Sequence, residues 1–159
     1  MAAQPDRRIV VGVDGSPSSL DALRWAAKQA RATGAWLDAV IAWEAPPSFG
    51  AAPSLGYVPA FEGVPPFDLS EAARATIDAA IKEALGPHAG LRVEPAVVQG
   101  HAVATLIARS EGAELLVIGS RGRGGFTGLL LGSVSANVIG RAWCPVTVVR
   151  HFEAETPAA

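Results

Sequence analysis

A group of glycines in the last third of the chain has the form of a phosphate-binding loop. A short apolar run ends at Gly119, and Gly122 and Gly132 complete the spacing G-x2-G-x9-G, with Ser133 directly after the last glycine. Glycines let backbone N–H groups turn toward an anion, and a helix that begins after Gly132 would add the partial positive charge of its N-terminus. These residues therefore predict a nucleotide ligand.

Two other phosphate-binding loops do not fit this spacing. A Walker A loop requires a lysine after its second glycine, and no lysine follows any glycine in residues 119–133. The dinucleotide fingerprint fails because Thr127 stands where its third glycine is required. A flexible surface loop is the remaining alternative. Against it, Phe126 and residues 129–131 are apolar, so we expect them to be buried and to anchor the loop.

Composition indicates one domain and excludes several classes of partner. The chain has 159 residues, half of them apolar, with 13 Lys and Arg against 15 Asp and Glu. A net charge of −2 without a basic stripe gives no reason to expect nucleic acid. The start of the chain lacks the apolar region of a signal peptide, and no window reaches the roughly 18 apolar residues that span a bilayer. We therefore expect no membrane partner and a cytoplasmic location.

Signals for strands and helices alternate along the chain. Strands are predicted at residues 8–13, 36–43, 91–98, 115–118 and 145–150, and helices at 18–33, 70–85, 101–111 and 133–141. Near-continuous apolar strands alternating with helices predict a doubly wound α/β fold, whose parallel sheet is covered on both faces. Ligands of such sheets bind beyond the carboxyl ends of the strands, where the strand order reverses.

The turn after the first predicted strand is the second candidate for binding. Asp14 and Gly15 stand there, and if the first and fourth strands are neighbours, Asp14 faces Gly119 across one crevice. The sequence Asp14-Gly15-Ser16-Pro17 is also typical of a turn and a helix cap, so a purely structural role stays open. The expected position of Asp14 and Gly15 beside the glycine loop favours a role in ligand binding.

Three segments resemble the universal stress protein family. They are VGVDGS at residues 11–16, the stretch from GSRG at 119–122 to LLGSVS at 130–135, and CPVTVV at 144–149. The glycine spacing is similar to that of the ATP-binding branch of this family. The resemblance covers about residues 7–151 and implies a single Rossmann-like domain, with a five-stranded parallel sheet in the order 3-2-1-4-5 and helices on both faces.

The resemblance also implies a ligand and the residues that bind it. The ligand would be ATP, or ADP or AMP, with any Mg²⁺ arriving on the phosphates. Ribose and phosphates would be held by the loop, the nucleoside by Asp14, and adenine by main-chain groups near Ala42. The loop residues implied are Gly119, Gly122, Gly132 and Ser133, with backbone and hydroxyl contacts from Val134 and Ser135. A Cβ at Gly122 would intrude on the phosphate and, at positive φ, add about 1 kcal/mol of strain.

Other polar residues of the loop have two readings. Arg121 and Arg123 add charge to the phosphates or are flexible surface side chains. Ser120 lies among loop hydroxyls that suit capping and phosphate hydrogen bonds better than nucleophilic catalysis, since no G-x-S-x-G elbow surrounds them. The histidines lack metal-ligand spacing. We therefore predict no catalytic residue and no metal ligand of the chain.

Two segments outside the loop suggest interactions. The last predicted strand, from Pro145 to Arg150, would leave an apolar sheet edge, which favours pairing between two copies in a homodimer; a cover formed by the C-terminal tail is the alternative. The resemblance also implies this dimer. Residues 44–68 form a long predicted loop that folds over the nucleotide or contacts a partner. Three hypotheses follow: a nucleotide-dependent stress-response regulator, a slow ATPase, and an adaptor that does not bind nucleotide.

Overall fold

Strands and helices alternate in the computed structural model, which describes residues 6–45, 66–88, 90–123, 128 and 130–152. Within those residues there are five strands and four helices. They are β1 (Arg8–Gly12), α1 (Pro17–Thr33), β2 (Trp36–Trp43), α2 (Pro66–Leu85), β3 (Val93–Gln99), α3 (Ala102–Ser110), β4 (Leu115–Gly119), α4 (Ser133–Ile139) and β5 (Val146–Val149). All neighbouring strands are parallel, in the order β3-β2-β1-β4-β5. The predicted doubly wound α/β fold and its strand order are confirmed.

Apolar side chains on both faces of the sheet produce two core clusters. On one face, Val11 of β1 packs in a cluster with Leu23 of α1 and Ile77 of α2. On the other face, Val10 packs in a cluster with Val138 of α4. Successive residues of a strand point to opposite faces, so a strand buried on both sides is apolar at every position. Both Val10 and Val11 are fully buried, as this arrangement requires.

Helix α1 begins directly behind the end of β1 because of a local capping sequence. Ser16 is the N-cap, and its Oγ accepts a hydrogen bond of 3.3 Å from the N–H of Ser19. Pro17 occupies the first turn, where its missing N–H costs nothing. The helix ends at Gly34, which has φ of +73° and lies in the left-handed region that glycine favours. The predicted capping role of this turn is confirmed.

The bounds of α2 differ from the prediction. The helix begins at Pro66, four residues before the predicted start at Ser70, because proline is tolerated in a first helical turn even though it breaks helix interiors. Residues 46–65 of the predicted long loop lie outside the described residues, and so do residues 153–159 of the tail. No helix in the described ranges combines the length and the hydropathy needed to cross a bilayer.

A buried carboxylate lies in the half of the sheet that is remote from the carboxyl ends of the strands. Asp38 of β2 is only 2% exposed, and Nη1 of Arg109 donates to its two oxygens at 2.9 and 3.1 Å. Arg8 lies against the same carboxylate at 3.4 Å and also donates to the carbonyl oxygens of Arg109 and Glu111. These contacts tie β1, β2 and the end of α3 together.

The residues that follow β5 contact α1. The Nδ1 atom of His151 lies 2.6 Å from Oδ2 of Asp21, and Arg24 donates to the other oxygen at 2.8 Å. The hydrogen bond from His151, with a smaller contribution from Arg24, holds the pKa of Asp21 below its usual value, and partial burial opposes this effect. His151 is thereby held against α1.

Candidate nucleotide-binding site

A cleft of about 530 Å³ lies at the carboxyl ends of β1, β2 and β4. The strand order reverses between β1 and β4, so this is the position at which doubly wound folds bind ligands. Most of the predicted site residues line it, namely Asp14, Ala42, Gly119, Arg121, Gly122, Arg123, Gly132, Ser133, Val134 and Ser135. The other two predicted residues, Gly15 and Ser120, are not among the described residues that line the cleft.

The apolar part of the lining was not predicted. It comes mainly from strand ends and from α3, and includes Val13, Val40, Ala102, Leu106, Ile118, Leu131 and Ala136. Apart from Val13 and Leu131 these residues lie outside the quoted motifs, because apolar side chains at the ends of buried strands resemble those of the core. The order of the strands is the signal that could have found them, since it places the ends of β1, β2 and β4 together. Ser19 of α1 was also missed.

Ala42 lines the cleft at the end of β2, and its N–H and carbonyl have no backbone partner on the β1 side among the described residues. The backbone N–H and carbonyl groups of even-numbered β2 residues point toward β1. This follows because the Trp36 N–H donates to the Arg7 carbonyl, and the Val40 carbonyl accepts from the Val13 N–H. Strand β1 ends before it can reach Ala42. Among the described residues no backbone acceptor bonds the Ala42 N–H on this side. One donor and one acceptor are therefore available at the end of β2.

The carboxylate of Asp14 connects two loops. Its Oδ1 accepts from the N–H of Ser16 at 2.9 Å, and its Oδ2 accepts from the N–H of Arg123 at 3.1 Å. As predicted, β1 and β4 are neighbours, and Asp14 and Gly119 line the same cleft. The direct contacts of the Asp14 carboxylate with the loop are at Gly122 and Arg123. Asp14 thus bonds to the N-cap residue of α1 and to the glycine loop simultaneously.

Two loop glycines are closely packed and have ordinary backbone angles. A Cβ on Gly119 would lie 2.5 Å from Oγ and 2.8 Å from the backbone carbon of Ser18 in α1. A Cβ on Gly122 would lie 2.5 Å from Oδ2 of Asp14. Neither glycine has a positive φ, so the strain that the sequence suggested for Gly122 is absent. Glycine is needed at position 119 because the backbone of α1 approaches it closely, whereas a Cβ at position 122 would displace the Asp14 carboxylate from its bond to the loop.

Hydrogen bonds hold the two ends of the glycine loop together. The N–H of Gly132 donates to the Ser120 carbonyl at 2.6 Å, and the Ser135 hydroxyl donates to the Gly119 carbonyl at 2.7 Å. Ser120 is buried, with 4% exposure, so it serves the closure of the loop and not the cleft. The N-cap of α4 is Gly132, which has no side chain to cap the N–H groups of the first turn.

The arginines of the loop lie where either alternative is still open, whereas one of its apolar residues differs from expectation. Arg121 and Arg123 are exposed and line the cleft. The Arg123 guanidinium lies over Gly15, where a Cβ would be 2.8 Å from Nη2, and Gly15 has φ of +80°. Gly15 therefore shapes the turn without lining the cleft. The expectation that Leu130 is buried is wrong, since it is 75% exposed. Phe126 and Leu129 lie outside the described residues.

The chemistry of the cleft is that of a binding site for an organic anion. Asp14 is the one carboxylate, and no histidine is present, among the described residues that line it. The described ranges also contain no group of three or more His, Cys, Asp or Glu side chains arranged to hold a metal ion. Apolar residues, backbone groups and two arginines are suited to a base, a sugar and phosphates.

The sequence profile of the universal stress protein family matches residues 6–150. The chain belongs to this family. It is 34% identical over 157 residues to universal stress protein Rv2623 of Mycobacterium tuberculosis, an alignment that covers 94% of this chain and 49% of that protein. A universal stress protein of Mycolicibacterium smegmatis is likewise 34% identical over 146 residues, covering 89% of this chain and 45% of the relative. The chain spans about half the length of these curated relatives.

Solved structures of the family share the fold. Universal stress protein UspA from Lactobacillus plantarum matches with a TM-score of 0.68 at 22% identity, covering 93% of this universal stress protein and all of UspA. At that identity the likeness establishes the fold alone. A universal stress protein solved in complex with cAMP is 30% identical, with a TM-score of 0.55 and coverage of 90% and 95%.

Proposed function

We propose that this universal stress protein binds an adenine nucleotide in the cleft and acts as a nucleotide-dependent regulator. ATP, ADP or AMP would be the ligand, with Mg²⁺ bound mainly to the phosphates. One observation supports the proposal most strongly: apolar residues, the main chain of Ala42 and the glycine loop all line the same cleft. The relative solved with cAMP supports a nucleotide of this class.

The end of β2 suits adenine. An adenine ring presents a hydrogen-bond donor and an acceptor side by side, and the Ala42 N–H and carbonyl offer the complementary pair. The flat faces of the ring require apolar surface, which Val40, Leu106 and Ile118 provide in the cleft. Because both polar groups belong to the main chain, the side chain at this position can be small, and it is alanine.

The glycine loop suits the ribose and phosphates. Gly122, Gly132 and Ser133 line the cleft without a Cβ or with a short polar side chain, which would leave the N–H groups of Gly122 and Ser133 accessible, whereas that of Gly132 donates to the Ser120 carbonyl. Arg121 and Arg123 would add positive charge at the exposed side. These residues would bind and orient phosphates without chemistry of their own.

Regulation fits the cleft better than catalysis. A hydrolase needs a general base or a residue that orients the attacking water. Asp14 is the carboxylate available, and both of its oxygens already accept backbone hydrogen bonds. We therefore propose that nucleotide occupancy sets the conformation or the partner preference of the protein, with slow ATP hydrolysis and a nucleotide-free adaptor as the alternatives.

Calorimetric titration with Mg²⁺–ATP tests the proposal, with Gly132→Ala as the informative variant. A Cβ on Gly132 would lie 3.4 Å from Cα of Arg121 and 3.5 Å from the nitrogen of Gly122, which are ordinary contacts that the fold tolerates. The same Cβ would stand beside the Gly122 N–H that a phosphate needs. We expect saturable binding by the wild type and an affinity lowered roughly tenfold or more in the variant.

Gly140→Ala is the matched control for this titration. Gly140 lies at the other end of α4, has helical angles, and has nothing within 4 Å of its Cβ position. Its affinity for nucleotide should equal that of the wild type. Folded, nucleotide-free wild type that binds no adenine nucleotide would contradict the proposal and favour the adaptor. Steady release of phosphate would favour the ATPase.

We also propose that two copies pair through β5. The N–H of Leu116 donates to the Pro145 carbonyl, and the N–H of Ser120 donates to the Val149 carbonyl. The backbone groups of odd-numbered residues therefore point to β4, and those of Val146 and Val148 point away from the sheet edge. At the opposite edge of the sheet, the same alternation turns Pro95 outward, and proline blocks strand addition there. Strand β5, from Val146 to Val149, contains no proline.

Val148→Pro tests this dimer, and Val97→Pro on β3 is its matched control. Both valines are half-buried residues that face outward on edge strands, so the two substitutions should destabilise the fold similarly. We expect the wild type and Val97→Pro to be dimers by sedimentation at micromolar concentration, and Val148→Pro to be a monomer. A monomeric wild type would contradict the pairing, as would a dimeric Val148→Pro variant.

A further inference from the structure

The carboxylate of Asp14 occupies a donor of the very loop that would hold phosphates. Its Oδ2 accepts from the Arg123 N–H at 3.1 Å, while Oδ1 is held by the Ser16 N–H at 2.9 Å. Backbone donors of glycine loops are the groups with which proteins bind anions. Asp14 therefore behaves as an internal anion that is already bound to one end of the loop.

Two hydrogen bonds hold this carboxylate beside the loop, one from the Ser16 N–H before α1 and one from the Arg123 N–H. Its Oδ2 also lies close to Gly122, only 2.5 Å from the position that a Cβ would take there. A phosphate that bonds to the Gly122 N–H would lie next to Oδ2, because the neighbouring N–H along the chain is the one that Asp14 occupies. Each further negative charge on the ligand then adds repulsion.

The arginines offset this repulsion only in part. Asp14 is partly buried, whereas Arg121 and Arg123 are exposed, and solvent and salt screen exposed charges more strongly than buried ones. The Arg123 guanidinium is moreover directed over Gly15, toward Thr76 of α2. The charge of Asp14 therefore acts on a bound phosphate more strongly than the more exposed charges of the two arginines.

We propose that Asp14 is a specificity-determining residue that selects nucleotides by phosphate charge. In the absence of a divalent cation, it favours nucleoside monophosphates over triphosphates in the cleft. This inference rests on the proposed nucleotide site, and it assigns Asp14 a role in discrimination that is separate from contact with the nucleoside. Neutralising Asp14 should change the ratio of two affinities, whereas removing a nucleoside contact should weaken both equally.

The test is titration of the full chain with AMP and with ATP, both in EDTA at 0.1 M salt, for the wild type and Asp14→Asn. We expect the ratio of the ATP dissociation constant to the AMP dissociation constant to fall roughly tenfold in Asp14→Asn, because two like charges a few ångströms apart in a partly buried site repel by about that much. Asp78→Asn, an exposed carboxylate of α2, makes the same change in net charge and should leave the ratio unchanged.

The outcomes separate this inference from the proposed function. If wild type binds both nucleotides and the ratio is unchanged in Asp14→Asn, the charge selection is wrong and the nucleotide site stands. If wild type binds neither nucleotide, both proposals fall. Should the asparagine variant not fold, Asp14→Ser is measured instead, since a serine hydroxyl can accept the Ser16 N–H without carrying charge. An unchanged ratio in that variant also overturns the inference.

Discussion

Asp38→Ala is expected to lower the free energy of unfolding by about 2–3 kcal/mol, although Asp38 lies far from the cleft. Removing one partner of a buried ion pair leaves the other charge without compensation, at a typical cost of about 3–5 kcal/mol. Here the cost falls at or below the low end, because Arg8 and Arg109 are 22% and 35% exposed and Arg8 keeps two carbonyl acceptors. Urea unfolding, compared at constant m-value, measures the change.

Glu114→Ala is the matched control for Asp38→Ala. Glu114 pairs with Arg7 on the surface, where both side chains are at least one-third exposed, and such pairs contribute about 0–1 kcal/mol. If Asp38→Ala costs no more than Glu114→Ala, the buried network does not stabilise the fold. Replacing all three members by apolar residues, as Arg8→Met with Asp38→Leu and Arg109→Met, should recover part of the loss.

Local patterns were sufficient for most elements of the fold. The bounds predicted for β2 are those observed, since its apolar run is closed by Gly34 before it and by prolines after it. The start of α2 was missed because Pro66 looks like a helix breaker until its place in the first turn is known. The Asp38 network was invisible, because its partners lie 30 and 71 residues away in the sequence.

For the candidate site too, local sequence predicted some features and missed those that depend on distant residues. The glycine loop and Asp14 carry residue types that local chemistry explains, so the sequence pointed to them. The reason for each glycine was less accessible: Gly122 is confined by Asp14, and no local pattern shows a carboxylate 108 positions away. Leu130 shows the converse, since an apolar side chain in a loop was expected to be buried and is exposed. Apolar residues near binding surfaces and sheet edges are not all core residues.

Gly119→Ala is expected to be the most damaging substitution in the glycine loop. A Cβ there would lie 2.8 Å from the backbone carbon of Ser18, and backbone cannot rotate away as a side chain can. Helix α1 or strand β4 must therefore shift, and overpacking of this kind costs about 1–3 kcal/mol. Thermal and urea unfolding should both show the loss, and it should occur without any nucleotide present.

Gly12→Ala provides the comparison, because Gly12 ends the neighbouring strand. Its Cβ would meet methyl groups of the Ile118 and Leu106 side chains at 3.3 Å and no backbone atom among its three nearest neighbours, so a smaller loss is expected. Adding Ser18→Ala to Gly119→Ala removes the contact with Oγ and leaves the contact with the backbone carbon, which predicts partial rescue. Full rescue would mean that the hydroxyl alone requires glycine at position 119. Partial rescue would instead assign Gly119 to the close approach of α1, which brings Asp14 to the loop and so builds the cleft.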